Sequence, residues 1–341
     1  MVETVITRQA PRPVRNVTPA IAKPVAPGPN FFLIGAPKCG TTAMHEFLRE
    51  HPDIFIPQQK ELHFYGADLR GLSATASPQH HAELFASVNG EKRIGETCIW
   101  ALYSKSAAQE IRAAVPGAKI VVMLRNPVDM IYSLYHELLF WDMEQAVTFE
   151  RALALETLRK RGRSLPVTVE PRECFYYRDV GAFSGQLERY YNAFGKDAVH
   201  VILFEDLKQN NAKVYEDLVT FLGVDPHFRP EFRFINPSKR VRSVMLRNWM
   251  RRPNFFLKLA IRALIPNARW RKQLGERVSQ WNVGFGPVEP MNPRLRRELQ
   301  AHFTPEVDRL GNLLGRDLRH WVMPQAASRG EGFPTLQIAG H

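Results

Sequence analysis

The apolar residues of the chain fall into short unbroken runs separated by longer amphipathic stretches. Three runs, at 31–35, 119–124 and 199–204, contain very few polar residues, which predicts strands buried on both faces of a sheet. Apolar residues recur at helical spacing in the stretches between and after them, over 42–50, 103–115, 128–139, 149–161, 183–194 and 214–222. Strands that alternate with helices of this length predict an α/β fold with a central, mostly parallel sheet flanked by helices.

Both ends of the chain depart from this pattern. Prolines interrupt every apolar stretch of residues 1–30, which predicts a disordered Pro-rich N-terminal tail rather than a signal peptide. Residues 322–341 are predicted to form a flexible C-terminal tail, so that the folded domain covers 31–321. No apolar run approaches the roughly 18 residues that a membrane-spanning helix needs.

Positive charge is concentrated in one part of the chain. The 341 residues contain 46 Lys and Arg against 34 Asp and Glu, a net charge of +12, which favours an anionic partner. Residues 239–277 hold twelve of these basic residues and one acid, interleaved with aromatic residues. This segment predicts either contact with an anionic membrane or acceptor, or helices packed on the core with solvated basic faces. Nucleic acid is not predicted, because no binding module is recognisable.

The number and spacing of the cysteines indicate whether the compartment of the protein is reducing or oxidising. Cys39, Cys98 and Cys174 are too few for a disulfide framework, and their spacing is not that of metal ligands. The sequence therefore predicts a cytoplasmic protein, peripheral to the inner face of a membrane if the basic segment binds lipid. It predicts no metal site, and it makes no prediction of oligomeric state.

The segment GAPKCGTT, at residues 35–42, lies between the first predicted strand and the first predicted helix. At such a junction the backbone N–H groups and the positive end of the helix dipole can bind an anion. The lysine, Lys38, precedes Gly40, whereas the Walker A lysine follows the second glycine of its motif. The segment therefore predicts a phosphate-binding loop of a type that differs from the common ATP and GTP loop.

A second candidate anion site follows the run at 119–124. Arg125 ends this predicted strand, and Ser133 lies eight residues further on, within the next helix. A guanidinium at a strand end can bind a phosphate with two parallel hydrogen bonds. Because ligands of open α/β sheets bind beyond the carboxyl ends of the strands, we expect the two segments to share one site.

With these two motifs in this order, the chain resembles sulfotransferases that use 3′-phosphoadenylyl sulfate (PAPS), in particular the carbohydrate and heparan-sulfate type and related bacterial enzymes. The resemblance implies a P-loop-like three-layer fold. It implies that Lys38 contacts the bridging oxygen of the phosphosulfate. The other oxygens would be held by the backbone amides of Cys39, Gly40, Thr41 and Thr42.

The resemblance also implies which residues bind the 3′-phosphate of the nucleotide. Arg125 and Ser133 match the positions that bind this phosphate in the family. Lys239 and Arg240 lie where the family has a mobile basic loop that closes over the nucleotide. The expected ligands are therefore PAPS as donor and adenosine 3′,5′-bisphosphate (PAP) as product.

The catalytic base is expected in the segment KELHF at residues 60–64. In carbohydrate-type members the glutamate of this motif is the base, which makes Glu61 the candidate. Small-molecule members use a histidine at the comparable place, so His63 is the alternative. Lys60 and His63 would tune the pKa of Glu61 or contact the acceptor.

The sequence thus predicts transfer of a sulfuryl group from PAPS to a hydroxyl or amine, on a carbohydrate or glycolipid, by in-line attack and without a required metal. Two other interpretations stay open at this point. One is a nucleotide kinase or NTPase on the same core. The other is a sulfotransferase that acts on a small-molecule or lipid acceptor at an anionic membrane surface.

Overall fold

The computed structural model describes residues 28–69, 77–166, 171–232, 239–241, 270, 283–285 and 289–323. Almost all of both predicted tails, and most of the basic segment 239–277, lie outside these residues. The prediction that 31–321 forms the folded domain therefore stays a prediction.

Five parallel strands form the central sheet, in the order β2-β3-β1-β4-β5. They are β1 (Phe31–Gly35), β2 (Ile54–Phe55), β3 (Arg93–Cys98), β4 (Lys119–Leu124) and β5 (Val199–Leu203). All five residues of β1 are buried, as are the last five of β4, so both faces of the sheet are covered. The predicted α/β fold with a mostly parallel sheet is confirmed.

The sequence pattern did not predict β3, the strand beside β1. Its sequence, RIGETC, contains polar residues and lacks the apolar run that marks its neighbours. Glu96 and Thr97 are nevertheless only 2% exposed, because each is hydrogen-bonded to a histidine, His81 and His45 respectively. Burial of a polar side chain costs little when its hydrogen bonds are satisfied.

Helices surround the sheet, and the amphipathic stretches predicted from the sequence coincide with most of them. Within the described residues they are α1 (Thr41–Arg49), α2 (Pro78–Leu84), α3 (Trp100–Tyr103), α4 (Ala107–Ala114), α5 (Pro127–Phe140), α6 (Phe149–Lys160), α7 (Tyr177–Val180), α8 (Phe183–Phe194), α9 (Phe204–Gln209), α10 (Asn211–Leu222) and α11 (Pro293–Leu314). A separate antiparallel sheet consists of the two strands β6 (Lys239–Val241) and β7 (Val283–Phe285).

One predicted helix, over 103–115, is wrong in its bounds. The structure has α3 and α4 there, separated at Ser104. The Ser104 hydroxyl accepts a hydrogen bond from the Ala107 amide at 2.9 Å, and Asp68 accepts one from the Lys105 amide at 2.8 Å. These side chains satisfy the N–H groups at the start of α4, and such capping favours a helix boundary over a continuous helix.

The loop after α5, the helix that carries Ser133, is attached to α6 and α7 by a buried ion pair. Arg159 of α6 donates two hydrogen bonds, of 2.7 and 2.6 Å, to the carboxylate of Glu144, which is fully buried. The hydroxyl of Tyr177 in α7 donates a third, at 2.7 Å. The guanidinium and the carboxylate neutralise each other's charge through two hydrogen bonds. Removing either partner would therefore leave an uncompensated charge in the core.

Substitution of Arg159 by Met should therefore lower the free energy of unfolding by about 3–5 kcal/mol, measured by urea denaturation. A matched control is Lys160→Met, which removes a neighbouring ion pair whose partners, Lys160 and Asp179, are more than 40% exposed. That change should cost at most about 1 kcal/mol. Equal losses in the two variants would contradict this account of the pair.

Candidate active site

Three adjacent strands bring the candidate residues together. Because β3, β1 and β4 are neighbours and run parallel, their carboxyl ends at Cys98, Gly35 and Leu124 lie along one edge of the sheet. The phosphate loop follows β1, and Arg125 follows β4. This edge is where open α/β sheets bind ligands, and the expected shared site is consistent with the observed strand order.

The phosphate loop presents backbone N–H groups at the start of α1. Gly40 precedes the helix with φ of 87°, in the left-handed region, and no side chain caps the first turn. The uncapped N–H groups and the helix dipole thus form a place for an anion. A Cβ at Gly40 would lie 3.1 Å from side-chain carbons of both Phe204 and Leu207, so glycine is favoured by both backbone conformation and packing.

Cys39 takes part through its backbone alone. Its side chain is fully buried, and its Sγ lies 3.5 Å from the carbonyl oxygen of Pro37. Burial raises the pKa of this thiol far above its usual value, an effect larger than the opposing charge of Arg125. The thiol therefore stays protonated and unreactive.

Arg125 connects the second motif to the first. Its Nη1 donates a hydrogen bond of 3.1 Å to the carbonyl oxygen of Lys38, and its guanidinium lies 4.7 Å from the ring centre of Phe204. The next residue, Asn126, caps α5 by accepting a hydrogen bond from the Val128 amide. Ser133 lies half-buried further along the same helix.

The base candidate Glu61 is attached to the end of β3. Its N–H donates to the carbonyl oxygen of Thr97 at 2.9 Å, and its carboxylate accepts from the Ile99 amide at 3.0 Å. Since β3 lies beside β1, this contact holds Glu61 next to the phosphate loop. The preceding residue reinforces the arrangement, because Lys60 Nζ donates to Thr42 Oγ1 at 2.7 Å.

Burial shifts the pKa values of the two candidate bases, Glu61 and His63, in opposite directions. It raises the pKa of Glu61 to about 7; the Ile99 amide and Lys60 oppose this rise, while Glu137 and Glu96 add to it. Burial also lowers the pKa of His63 to about 4. At neutral pH His63 is an uncharged weak base, whereas Glu61 exchanges a proton close to neutrality.

Backbone strain occurs at the same residues. Five non-glycine residues of the described chain have positive φ, and three of them are Lys38, Glu61 and His63, at 64°, 56° and 52°. Such conformations cost free energy and persist where the surrounding structure enforces them, most often at functional sites. All three residues predicted to act in catalysis thus lie in enforced conformations.

The structure also contains a group of potential metal ligands within this site. A carboxylate oxygen of Glu61, a ring nitrogen of His63 and the sulfur of Cys98 lie within 4.8 Å of one another. The contact between His63 Nδ1 and Cys98 Sγ is 3.4 Å. This donor set could hold a zinc-like cation. The expectation that catalysis requires no metal stays a prediction.

An aromatic pair forms three residues after Glu61 in the chain. The ring of Phe64 stacks on the ring of His81 with centroids 3.9 Å apart. His81 Nε2 in turn lies 2.9 Å from a carboxylate oxygen of the buried Glu96. His81, on α2, was not predicted from the sequence.

Three further residues complete the comparison with the sequence predictions. The backbone of Lys239 and Arg240 lies in β6, which runs beside α5. Glu137 of α5, which was not predicted, forms an ion pair of 3.1 Å with Lys38. Its position four residues after Ser133, on the same helical face, is the feature that would have pointed to it.

Comparison with known proteins identifies the family. The family model described as "Sulfotransferase domain" matches residues 28–233, which is more than half of the chain. The chain belongs to the sulfotransferase family. The donor of this family is PAPS, so the kinase interpretation is not supported.

Relatives of this sulfotransferase include a structure and several curated proteins. The crystal structure of a sulfotransferase from Alicyclobacillus acidocaldarius is 31% identical, with a TM-score of 0.65, and covers 86% of this chain and 98% of its own. Carbohydrate sulfotransferase 15 of Homo sapiens is 25% identical over 65% of this chain. The bifunctional heparan sulfate N-deacetylase/N-sulfotransferase 4 of Mus musculus is 26% identical over 59%.

The sulfotransferase chain spans only part of these curated relatives, 51% of the human protein and 23% of the mouse protein. Their activities and substrates therefore do not transfer to this chain directly. Among the residues that the structure describes, no helix is both long and apolar enough to span a bilayer.

Gly40→Ala should destabilise the sulfotransferase by about 1–2 kcal/mol, because the new Cβ meets Phe204 and Leu207 and the backbone is left-handed. The measurement is urea denaturation. Gly185→Ala is the matched control, since Gly185 lies in α8 with open space around it. Alanine there should stabilise the protein by up to about 1 kcal/mol. A Gly40 variant as stable as the wild type would contradict the described loop.

Proposed function

We propose that this sulfotransferase transfers the sulfuryl group of PAPS to a hydroxyl or amine of a carbohydrate or glycolipid, with Glu61 as the catalytic base. The observation that carries the proposal is that Glu61 is hydrogen-bonded to the end of β3. This strand lies beside β1, which leads into the phosphate loop. In this proposal the lysine of the loop and the carboxylate lie on either side of one reacting position.

The donor's reacting end is assigned to the phosphate loop. The amides of residues 39–42 would bind the non-bridging oxygens, and the Lys38 ammonium would contact the oxygen that bridges phosphorus and sulfur. As the acceptor forms its new bond to sulfur, the bond between sulfur and the bridging oxygen breaks. The electron pair remains on the departing PAP phosphate, where Lys38 stabilises the developing charge.

The acceptor's proton is assigned to Glu61. Its pKa of about 7 is close to the value at which a base is both deprotonated and able to accept a proton at neutral pH. The lowered pKa of His63 makes that ring a weaker proton acceptor. These values support Glu61 over His63 as the base.

The 3′-phosphate is assigned to Arg125 and Ser133. The hydrogen bond between Arg125 and the Lys38 carbonyl places this guanidinium beside the phosphate loop, as one nucleotide with anions at both ends requires. A nucleotide without a 3′-phosphate would leave the Arg125 charge without that partner, which disfavours ATP. Lys239 and Arg240 are proposed to close over the nucleotide from β6, beside α5.

A carbohydrate acceptor is favoured by two observations. The half-buried Phe64 and His81 rings offer an aromatic surface that begins three residues after Glu61, and His81 is hydrogen-bonded to the buried Glu96. The relatives described above are named as carbohydrate and heparan sulfate sulfotransferases. Binding of residues 239–277 to an anionic membrane, and a cytoplasmic location peripheral to that membrane, stay predictions, since most of this segment lies outside the described residues.

Arg125→Ala should weaken the binding of PAP by about 10- to 100-fold, because a charge-assisted hydrogen bond to a phosphate contributes about 1.5–3 kcal/mol. Isothermal titration calorimetry measures this change. Adenosine 5′-monophosphate, which lacks the 3′-phosphate, serves as the control ligand and should bind the variant and the wild type alike. Unchanged PAP affinity would remove Arg125 from the nucleotide site.

Glu61→Gln should lower kcat by about 10² or more, since general-base catalysis contributes a factor of that size. In the wild type kcat should rise with pH through about 7, because the base acts only when deprotonated and its pKa is raised to about 7. The variant should lose this rise while its PAP affinity stays close to that of the wild type.

His63→Gln is the comparison for the Glu61 variant. It should retain most of kcat and the same pH dependence. A large loss of kcat in the His63 variant, together with near-normal turnover of Glu61→Gln, would transfer the role of base to His63.

A further inference from the structure

Glu137 occupies an unusual position for a negatively charged side chain. It lies on α5, the helix that carries Ser133, and its Oε2 is 3.1 Å from the Nζ of Lys38. A carboxylate is thus in contact with the ammonium that the proposed function assigns to the phosphosulfate. An anion-binding site that contains its own anion requires an explanation.

Both ends of Lys38 are held by the segment that follows β4. Its carbonyl oxygen accepts from Arg125, and its ammonium pairs with Glu137. The backbone of Lys38 is held in the left-handed region at the same time. The direction of the lysine side chain in this structure is therefore set by Glu137 rather than by the phosphate loop.

The ion pair is suited to exchange of partners. The side chains of Lys38 and Glu137 are 33% and 37% exposed, so water can replace either partner. Pairs of this exposure contribute about 0–1 kcal/mol. A phosphosulfate held at the same time by the amides of α1 is a stronger partner for the ammonium than a single carboxylate.

We infer that Glu137 holds the Lys38 ammonium in the donor-free enzyme and releases it to the phosphosulfate, and so sets the affinity of the site for the 5′ anion of the nucleotide. The inference rests on the proposed function, because it needs the 5′ anion at Lys38. It makes Glu137 a specificity residue for the donor. The 3′-phosphate is assigned to Arg125 and Ser133, neither of which pairs with Glu137, so the charge of Glu137 should affect it less than it affects the 5′ anion.

Glu137 also acts on the base from this position. Its negative charge is one of the two carboxylates that raise the pKa of Glu61, so it lies within electrostatic reach of both Lys38 and Glu61. The charge of Glu137 therefore acts on the proposed base as well as on the lysine.

The test is calorimetric titration of the full chain with two nucleotides, PAP and adenosine 3′-monophosphate, which lacks the 5′ anion. Glu137→Gln, which keeps the shape and removes the charge, should bind PAP about two- to fivefold more tightly than the wild type. Its affinity for adenosine 3′-monophosphate should rise by a smaller factor than its affinity for PAP, because the ammonium that Glu137 contacts faces the 5′ anion in this proposal. The melting temperature of each variant confirms that it is folded.

Two further variants separate the inference from general charge effects. Asp129 lies on the same helix but pairs with Arg296. Asp129→Asn should therefore leave the affinities for both nucleotides unchanged. In a Lys38→Ala background, the gain from Glu137→Gln should disappear. Equal or weaker PAP binding by Glu137→Gln, an equal gain with adenosine 3′-monophosphate, or a full gain without Lys38 would overturn the inference.

The outcomes also distinguish this inference from the proposed function. If the wild type binds neither nucleotide, or binds ATP as well as it binds PAP, the proposed function fails and the inference fails with it. If PAP binds well and Arg125→Ala weakens it, but Glu137→Gln has no effect, the inference alone is wrong.

Discussion

The parallel alignment of β3, β1 and β4 is the constraint on which the site depends. Each strand ends at the same edge of the sheet, and each end holds one part of the proposed chemistry. The phosphate loop follows β1, Arg125 follows β4, and Glu61 is hydrogen-bonded to the end of β3. A strand inserted between β1 and either neighbour would move these groups apart by a further strand spacing, about 4.8 Å.

Strain and burial at this edge are consequences of the same arrangement. Holding Glu61 against Thr97 and Ile99 forces its backbone into the left-handed region and buries its carboxylate. Burial then raises its pKa towards neutrality. The hydrophobic core and the buried ion pair of Glu144 and Arg159 provide the stability against which this strain is maintained. Two hydrogen bonds thus position the proposed base, and burial at that position tunes its pKa.

Much of this could be predicted from the sequence, for reasons that differ between residues. The strands β1, β4 and β5 were predictable because residues buried on both faces form unbroken apolar runs, and the loop around Gly40 because few residue types fit a helix start that binds an anion. The strand β3 was not, since Glu96 and Thr97 are polar and only their histidine partners make burial possible. The pairing of Lys38 with Glu137 also escaped prediction, because it joins two elements 99 positions apart.

The central claim is that Lys38 and Glu61 flank one reacting position at the shared edge of β1 and β3. A crystal structure of the complex with PAP tests it most directly. The account predicts the 5′-phosphate on the amides of residues 39–42, the 3′-phosphate on Arg125, and the carboxylate of Glu61 facing the position that the sulfuryl group vacates. A nucleotide bound elsewhere, or a Glu61 carboxylate turned away from that position, would contradict it.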